Sequence, residues 1–278
     1  MKGKAQWIRV GFQGERGAYS EAAAVAFFGE ATFPIPCESF DKVFTQVEVG
    51  ESDYGVVPIE NSLAGSIHRN YDLLLRHELF IVGEINLRIA HHLIALPRVK
   101  LGDVKRIYSH PQALAQCEQS LAALGDAEKV STYDTAGSVR TLKDRGIYDG
   151  AAIASRRAAE FYGMSILASD FEDNAQNYTR FLMLGPEEVV PQEPAKTSIV
   201  FSVENEPGIL FKCLSVFALR DIDLTKIESR PLQGRPWEYF FYLDFAGSMQ
   251  EERCRNAINH LREITTFFRN LGSYPRAT

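Results

Sequence analysis

The chain has 278 residues, enough for two domains, and its 45% hydrophobic and 24% charged residues are typical of a globular protein. Its formal net charge of −6 argues against a nucleic-acid-binding protein, because no basic stripe is available to neutralise phosphates. No apolar run approaches the roughly 20 residues that span a bilayer, and the polar start of the chain lacks the apolar core of a signal peptide.

The first 184 residues alternate between short apolar runs and helical patterns, which predicts two lobes with parallel, doubly wound sheets. The first lobe has predicted strands at 8–12, 32–35 and 54–57 and predicted helices at 18–28, 40–49 and 67–75. The β-rich stretch 80–96 is too long for one strand, so we expect it to cross between the lobes. The second lobe has predicted strands at 104–108, 129–131, 151–154 and 166–167 and predicted helices at 111–124, 135–143 and 156–161. A strand at 181–184 is expected to return to the first lobe and leave a cleft between the two.

A segment rich in proline and glutamate, residues 186–196, has the composition of a linker. Beyond it, the pattern predicts strands at 197–203, 223–229, 239–245 and 273–274, helices at 209–219 and 251–268, and a turn at 233–236. We therefore expect a two-lobed α/β domain over 7–185, a linker over 186–196 and a βαββαβ domain over 197–275.

Four loops place small or polar residues between a predicted strand and a predicted helix, at 11–17, 58–62, 109–112 and 134–138. Helix N-termini favour carboxylates and phosphates, and strand ends line the ligand crevice of open α/β sheets. Four such loops facing one cleft would suit a substrate with two anionic groups. Each loop also has a structural interpretation as a tight turn or a helix cap. The GxxGxxG spacing at 11–17 misses the dinucleotide fingerprint.

The run Asn-Tyr-Thr-Arg-Phe-Leu at 177–182 places a hydroxyl beside a guanidinium. Thr179 could protonate or hydrogen-bond a reacting oxygen, and Arg180 could hold a carboxylate. The alternatives are that Thr179 is an ordinary strand residue and that Arg180 forms a structural ion pair. The widely spaced Cys37, Cys117, Cys213 and Cys254 predict reduced, buried thiols. The histidines form no metal motif, and His91 and His92 are expected to be ordinary strand residues.

Five segments in order resemble the motifs of prephenate dehydratases: 11–20, 58–67, 109–117, 134–137 and 177–181. The region after the linker resembles an ACT domain, whose two phenylalanine-binding motifs match 206–210 and 228–231. The resemblance covers nearly the whole chain. The related plant arogenate dehydratases share these motifs, and the run 68–77 is similar to that branch.

The resemblance implies decarboxylating dehydration of prephenate to phenylpyruvate, a step of L-phenylalanine biosynthesis that needs no metal or organic cofactor because aromatisation drives it. The alternative substrate is arogenate, which would give phenylalanine directly. The family's essential threonine corresponds to Thr179, which would act on the leaving hydroxyl. The expected catalytic residues are Thr179, Arg180, Glu60 and Asn61. The expected substrate-binding residues are Ser109, Gln116, Ser62, Thr135 and Phe181.

The ACT-like region implies feedback inhibition by L-phenylalanine bound where two ACT domains pair. A homodimer is therefore the minimum expectation, and a homotetramer is the alternative. The expected effector-binding residues are Pro207, Gly208, Ile209, Leu210, Glu228, Ser229, Arg230 and Pro231. Ile209 replaces a small alanine of the family, which should change the size of the pocket.

The resemblance also implies a catalytic domain laid out like a periplasmic binding protein. No helical domain precedes Gly11, so a monofunctional enzyme is expected, without nucleic-acid or membrane partners. The expected location is the cytoplasm, or the plastid stroma after removal of a transit peptide. The second hypothesis is a non-catalytic amino-acid sensor of the same fold, which the intact run Thr179-Arg180-Phe181 disfavours.

Overall fold

The computed structural model describes residues 7–232 and 237–277, so the predicted turn at 233–236 and the polar start of the chain lie outside the described residues. The strands are β1 (Ile8–Gln13), β2 (Thr32–Cys37), β3 (Tyr54–Asn61), β4 (Gly65–Ser66), β5 (Phe80–Arg88), β6 (His92–Ala95), β7 (Arg106–Ser109), β8 (Glu128–Ser131), β9 (Gly150–Ala154), β10 (Ser165–Ala168), β11 (Tyr178–Gly185), β12 (Ala195–Ser202), β13 (Leu224–Pro231), β14 (Tyr239–Ala246) and β15 (Phe267–Pro275). The helices are α1 (Tyr19–Phe28), α2 (Phe40–Glu48), α3 (His68–Arg76), α4 (Pro111–Ala115), α5 (Glu118–Ala122), α6 (Thr135–Arg145), α7 (Arg156–Tyr162), α8 (Ile209–Ala218) and α9 (Glu252–Ile264).

The first lobe is built on a sheet of order β2-β1-β3-β11-β5, with β4 paired to β3. Strands β1, β2 and β3 are parallel, but β11 is antiparallel to both β3 and β5. The prediction of a parallel sheet therefore holds for β1, β2 and β3 and was wrong for β11. The reason is topological, because β11 returns from the second lobe and inserts between two strands of the first.

The second lobe has a sheet of order β10-β6-β9-β7-β8, in which β6 is antiparallel to β9 and β10. The crossing predicted for residues 80–96 is confirmed, since β5 belongs to the first sheet and β6 to the second.

The single helix predicted at 111–124 is instead two short helices, α4 and α5, separated at Gln116 and Cys117. All four cysteines are buried and unpaired, as predicted.

The lobes pack closely beside the turn between β1 and α1. Gly17 has a φ of +90°, and a Cβ there would lie 2.5 Å from the Cα of Ala158 in α7, so only glycine fits. The hydroxyl of Ser155 donates to the Gly17 carbonyl at 2.5 Å. The fully buried carboxylate of Glu21 pairs with Arg157 of the second lobe at 2.8 Å. These contacts fix one side of the interface between the lobes.

The C-terminal region has the predicted βαββαβ order, with an antiparallel sheet of order β13-β14-β12-β15. One face of this sheet buries Phe201 and Phe245 against α8 and α9. Helix α9 ends at Ile264 rather than at residue 268, because the chain there joins the sheet and the Thr266 N–H donates to the Ser202 carbonyl at 2.9 Å.

The C-terminal domain shares a continuous apolar core with the first lobe. Val200, Tyr242 and Leu271 pack in the same cluster as Ile59 and Leu182. The C-terminal sheet thus lies between its own helices and the first lobe. No helix in residues 7–232 and 237–277 has the length and apolar character needed to cross a membrane.

Candidate functional site

A cavity of about 440 Å³ opens between the two lobes. All four loops singled out in the sequence contribute to it, through Gln13, Asn61, Gln112 and Thr135 among others. Its apolar wall is formed by Phe40, Pro58, Ile67, Ile89 and Phe181. Its polar wall includes Tyr19, His91, Gln116, Asp134 and Thr179. The cavity therefore combines flat apolar surfaces with hydroxyls and amides, as a small ring-containing ligand with polar substituents would require.

Thr179 faces the cavity from β11, and its side chain is almost fully buried. Its Oγ1 accepts a hydrogen bond from Nδ2 of Asn61 at 3.0 Å. The orientation of the Asn61 amide is fixed, because its Oδ1 accepts the backbone N–H groups of Leu63 and Ala64 at 3.1 and 2.9 Å. Among the described residues Thr179 Oγ1 has no other hydrogen-bond partner, so its own proton is free to be donated into the cavity.

Arg180 lies on the opposite face of β11, because successive side chains of a strand alternate. Its Nη1 is 2.7 Å from Asp244 Oδ2 of the C-terminal domain and 3.3 Å from Glu84 Oε2. Burial alone would lower the pKa of Arg180, but the combined attraction of Asp244, Tyr274 and Glu84 raises that pKa well above the ordinary value. This geometry matches the alternative in which Arg180 forms a structural ion pair. It does not support the expected contact between Arg180 and a substrate carboxylate.

Glu60 is separated from the cavity for the same reason. Asn61 points into the cavity, whereas the Glu60 carboxylate lies 2.9 Å from Lys226 Nζ of the C-terminal domain. Its second oxygen is 3.7 Å from Arg180 Nε. The geometry assigns Glu60 a contact between domains and gives no support to the expected catalytic role.

The expected substrate-binding residues divide into two groups. Gln116, Thr135 and Phe181 line the cavity. Ser109 does not, because its buried hydroxyl donates to the Ile153 carbonyl at 2.7 Å and ties β7 to β9. Ser62 is also outside: its hydroxyl donates to the Gln176 carbonyl and accepts from the Tyr178 N–H, both at 2.9 Å. Both serines thus support the backbone around the cavity.

Tyr19 and His91 are among the cavity residues that the sequence analysis did not assign to the site. The prediction that His91 is an ordinary strand residue was wrong, since it lies between β5 and β6 where the chain crosses from lobe to lobe. Burial lowers the pKa of His91 and raises that of Tyr19, so both are neutral near pH 7. The sequence signal that could have identified His91 was its position in the segment 80–96, which was predicted to cross between the lobes. A polar residue in such a segment lies close to the cleft.

Charged side chains are few around the cavity. Asp134 lines it and caps α6 by accepting the Gly137 N–H, and burial raises the pKa of this carboxyl. Arg69 lines the mouth and pairs with Asp41 at 2.6 Å, with 64% of its side chain exposed. An anionic ligand inside would therefore be held mainly by N–H and O–H donors.

Comparison with known proteins identifies the family. The family model "Prephenate dehydratase" matches residues 10–189, and that of the ACT domain matches residues 197–259. The chain belongs to the prephenate dehydratase family. It is 51% identical to "Arogenate dehydratase/prephenate dehydratase 2, chloroplastic" of Arabidopsis thaliana, across 96% of this chain and 73% of that protein.

Two solved structures of similar fold also match nearly the whole chain. One is a prephenate dehydratase from Arthrobacter aurescens in complex with L-Phe, with 34% identity and a TM-score of 0.89 over 97% of this chain and 90% of the other. The second is described as GqqA, a novel type of quorum quenching acylase, with 33% identity and a TM-score of 0.89 over 97% and 98%.

The ACT domain of this family member carries the expected effector residues in two places. Pro207, Gly208, Ile209 and Leu210 lie at the start of α8, where Gly208 has a φ of 80°. Glu228, Ser229, Arg230 and Pro231 lie at the end of β13.

Alternate residues of β13 turn toward the first lobe. Glu228 accepts from the Ser66 hydroxyl at 2.5 Å, and Arg230 pairs with Asp72 at 3.1 Å. The edge strand of the ACT sheet is therefore bonded directly to the catalytic domain.

Proposed function

We propose that the protein catalyses the decarboxylating dehydration of prephenate to phenylpyruvate. The observation that carries this proposal is the buried hydroxyl of Thr179, which accepts from Asn61 and keeps its proton free to donate into the cavity between the lobes. A reaction whose obstacle is the departure of hydroxide requires a donor held in this way.

In the reaction, the bond between the ring and its carboxylate breaks and CO2 leaves. The electron pair moves through the diene, and the bond from the opposite ring carbon to its hydroxyl breaks, so that hydroxide leaves and is protonated to water. Threonine is a weak acid, and Thr179 acts mainly by a hydrogen bond that strengthens as charge builds on the departing oxygen. Phe181, Ile89 and Phe40 form apolar walls for the ring.

The second candidate substrate is arogenate, in which an amino acid replaces the keto acid of the side chain. The name of the Arabidopsis relative includes both activities. Purified protein should be assayed on prephenate and on arogenate separately, with phenylpyruvate and phenylalanine as the measured products. Faster turnover of prephenate would support the main proposal, and faster turnover of arogenate would favour the alternative. Activity on neither would contradict both and favour the amino-acid sensor.

Acyl transfer, the activity named for one solved relative, needs an activated nucleophile beside a base. The cavity serines are Ser20 and Ser39. Ser39 accepts the Lys42 N–H as the cap of α2, and among the described residues neither serine hydrogen-bonds a histidine or a carboxylate. The geometry therefore favours dehydration.

We also propose that L-phenylalanine inhibits the enzyme by binding to the ACT domain. The proposal is supported by the Arthrobacter prephenate dehydratase, whose structure was solved in complex with L-Phe. Phenylalanine at millimolar concentration should lower activity and raise Tm, because a ligand that binds the folded state stabilises it. No change in either would contradict this part of the proposal.

We propose a homodimer formed through the ACT domains, with a homotetramer as the alternative. Phe211 and Leu219 at the two ends of α8 leave more than three quarters of their surface exposed, and β13 is an edge strand. Both features offer surface for a second copy of the domain.

The proposed location is the plastid stroma, because the name of the Arabidopsis relative places that protein in the chloroplast. The cytoplasm is the alternative. Imaging of the protein with a fluorescent protein fused to its C-terminus would separate the two locations.

A further inference from the structure

The mouth of the cavity carries a single arginine. Arg69 lies in the first turn of α3, and it is the only arginine or lysine among the described residues that line the cavity. Its Nη2 donates to Asp41 Oδ2 at 2.6 Å. Among the described residues its Nε and Nη1 have no hydrogen-bond partner, and 64% of the side chain is exposed. The guanidinium therefore keeps N–H donors for a ligand in the cavity.

The backbone that carries Arg69 is fixed against the cavity wall. The next residue, Asn70, is fully buried, and its Nδ2 donates to the Pro58 carbonyl at 2.6 Å. Pro58 itself lines the cavity. The side chain of Arg69 is held only by its exposed pair with Asp41, and such a pair costs little to rearrange. The position of Arg69 is thus set by the fold, while its guanidinium can turn toward a ligand.

The polarity of the cavity sets the direction in which a substrate would lie. Thr179, the donor to the departing hydroxyl, is almost fully buried, whereas Arg69 is exposed at the mouth. In prephenate and in arogenate the hydroxyl is on the ring carbon opposite the one that carries the ring carboxylate and the side chain. With the hydroxyl at Thr179, both carboxylates are therefore directed away from the buried end and toward the mouth.

The reaction treats the two carboxylates differently. The ring carboxylate loses its charge as CO2 leaves, so a guanidinium bound to it would stabilise the substrate more than the transition state and slow the step. The side-chain carboxylate passes unchanged into the product. A guanidinium bound there stabilises substrate and transition state equally, which improves binding without opposing the chemistry.

We propose that Arg69 binds the side-chain carboxylate of the substrate through its Nε and Nη1 donors, in the paired geometry that a guanidinium and a carboxylate favour. This inference rests on the proposed function, because it requires a substrate whose hydroxyl lies at Thr179. The role of Arg69 is the same for prephenate and arogenate, since the keto acid and the amino acid side chains both end in this carboxylate.

Kinetics of Arg69→Met, Arg69→Lys and Arg76→Met test the proposal. Arg69→Met should raise KM about 5- to 50-fold, the effect of a hydrogen bond to a charged group at a site open to solvent, and change kcat by less than about twofold. The factor should be the same for prephenate and arogenate. Arg69→Lys keeps the charge but loses the paired donors, so its KM should be intermediate. Arg76→Met is the matched control: this exposed arginine lies two turns further along the same face of α3, outside the cavity wall, and its loss should leave KM unchanged.

Each variant is first compared with wild type by thermal unfolding, so that a loss of fold is not counted as a loss of binding. An unchanged KM in the folded Arg69→Met protein, or an equal rise of KM in Arg76→Met, would overturn the proposal. A fall in kcat with KM unchanged would also overturn it, because that pattern belongs to a group that acts only in the transition state.

A second measurement is independent of turnover. Phenylpyruvate retains the side-chain carboxylate, so its Kd, measured by isothermal titration calorimetry, should rise in Arg69→Met by about the same factor as KM and stay unchanged in Arg76→Met. An equal Kd in wild type and Arg69→Met, or no binding to the wild type, would overturn the proposal even if prephenate proves to be the substrate. Weaker binding confined to the Arg69 variants would support the carboxylate site even if neither prephenate nor arogenate is turned over.

Discussion

The amide of Asn61 donates a hydrogen bond to the Thr179 hydroxyl, which a carboxylate at this position could not do. Asn61 accepts two backbone N–H groups on its oxygen and donates from its nitrogen to Thr179, so its orientation is set by the turn that follows β3. The direction of this single hydrogen bond determines whether the Thr179 hydroxyl is a donor or an acceptor toward the cavity.

Asn61→Asp should therefore inactivate the enzyme while preserving its fold. The new carboxylate keeps both backbone contacts but accepts the Thr179 proton, which turns the hydroxyl away from the leaving group. We expect kcat to fall about 100-fold or more, comparable to the loss of a donor to a developing anion. Steady-state kinetics at saturating substrate measure this effect. Asn174→Asp is the matched control: this exposed asparagine keeps its acceptor role toward the Gln176 N–H and should retain wild-type kcat.

Substitution of Arg180 should affect stability and leave substrate binding nearly unchanged. Arg180→Met leaves Asp244 and part of the charge of Glu84 unpaired in a buried site, and breaking such a pair typically costs about 3–5 kcal/mol. Urea unfolding measures the loss. The exposed pair of Arg140 offers a control, since Arg140→Met should leave the unfolding midpoint unchanged. If Arg180 instead bound a carboxylate of the substrate, KM would rise more than tenfold with little change in stability.

Strand β13 is the element that joins the proposed effector site to the catalytic domain. Lys226 lies 2.9 Å from Glu60, the residue that precedes Asn61, and 3.2 Å from the Ser66 hydroxyl. A shift of β13 on effector binding would therefore pull on the end of β3 that carries Asn61. This contact gives the two sites a physical connection, as allosteric coupling requires.

Lys226→Met should weaken inhibition by phenylalanine and change the uninhibited rate by less than about threefold. The substitution removes the contacts to Glu60 and Ser66 but touches no residue of the cavity wall. The measurement is the phenylalanine concentration that halves activity, which we expect to rise about 5- to 100-fold for coupling of ordinary strength. Lys129→Met, on an exposed strand of the second lobe, is the control. Unchanged inhibition in Lys226→Met would show that coupling takes another route.

At the scale of elements, local patterns predicted most strands and helices but not their partners. The βαββαβ order after the linker and the crossing at 80–96 followed from apolar runs and their lengths. The helix predicted at 111–124 failed at Gln116 because the Asp173 N–H donates to its carbonyl from a distant segment at 2.8 Å. Local patterns also could not show that the side chains of Arg180 and Glu60 lie outside the cavity. Strand alternation would have placed Arg180 opposite Thr179, but only the fold shows which face of β11 meets the cavity.

In the whole molecule, the cavity is closed by contacts between lobes that are distant in sequence. Glu21 pairs with Arg157 on one side, and the Tyr133 hydroxyl of the second lobe donates to the Glu38 carbonyl of the first at 2.6 Å on another. The ACT domain packs against the first lobe through a shared core, so the catalytic strand β11 is supported by both domains. The motif resemblance predicted that these parts belong to one enzyme, whereas the packing that holds them together depends on tertiary contacts.

The central claim is that the Thr179 hydroxyl acts on the leaving group in the cavity between the lobes. The most direct test is kcat of Thr179→Val and Thr179→Ser on the preferred substrate, with thermal unfolding measured for both. Valine is nearly isosteric with threonine, so we expect kcat of Thr179→Val to fall about 100- to 1,000-fold without a large loss of Tm, and Thr179→Ser to keep substantial activity. An unchanged kcat in the folded Thr179→Val protein would contradict the account.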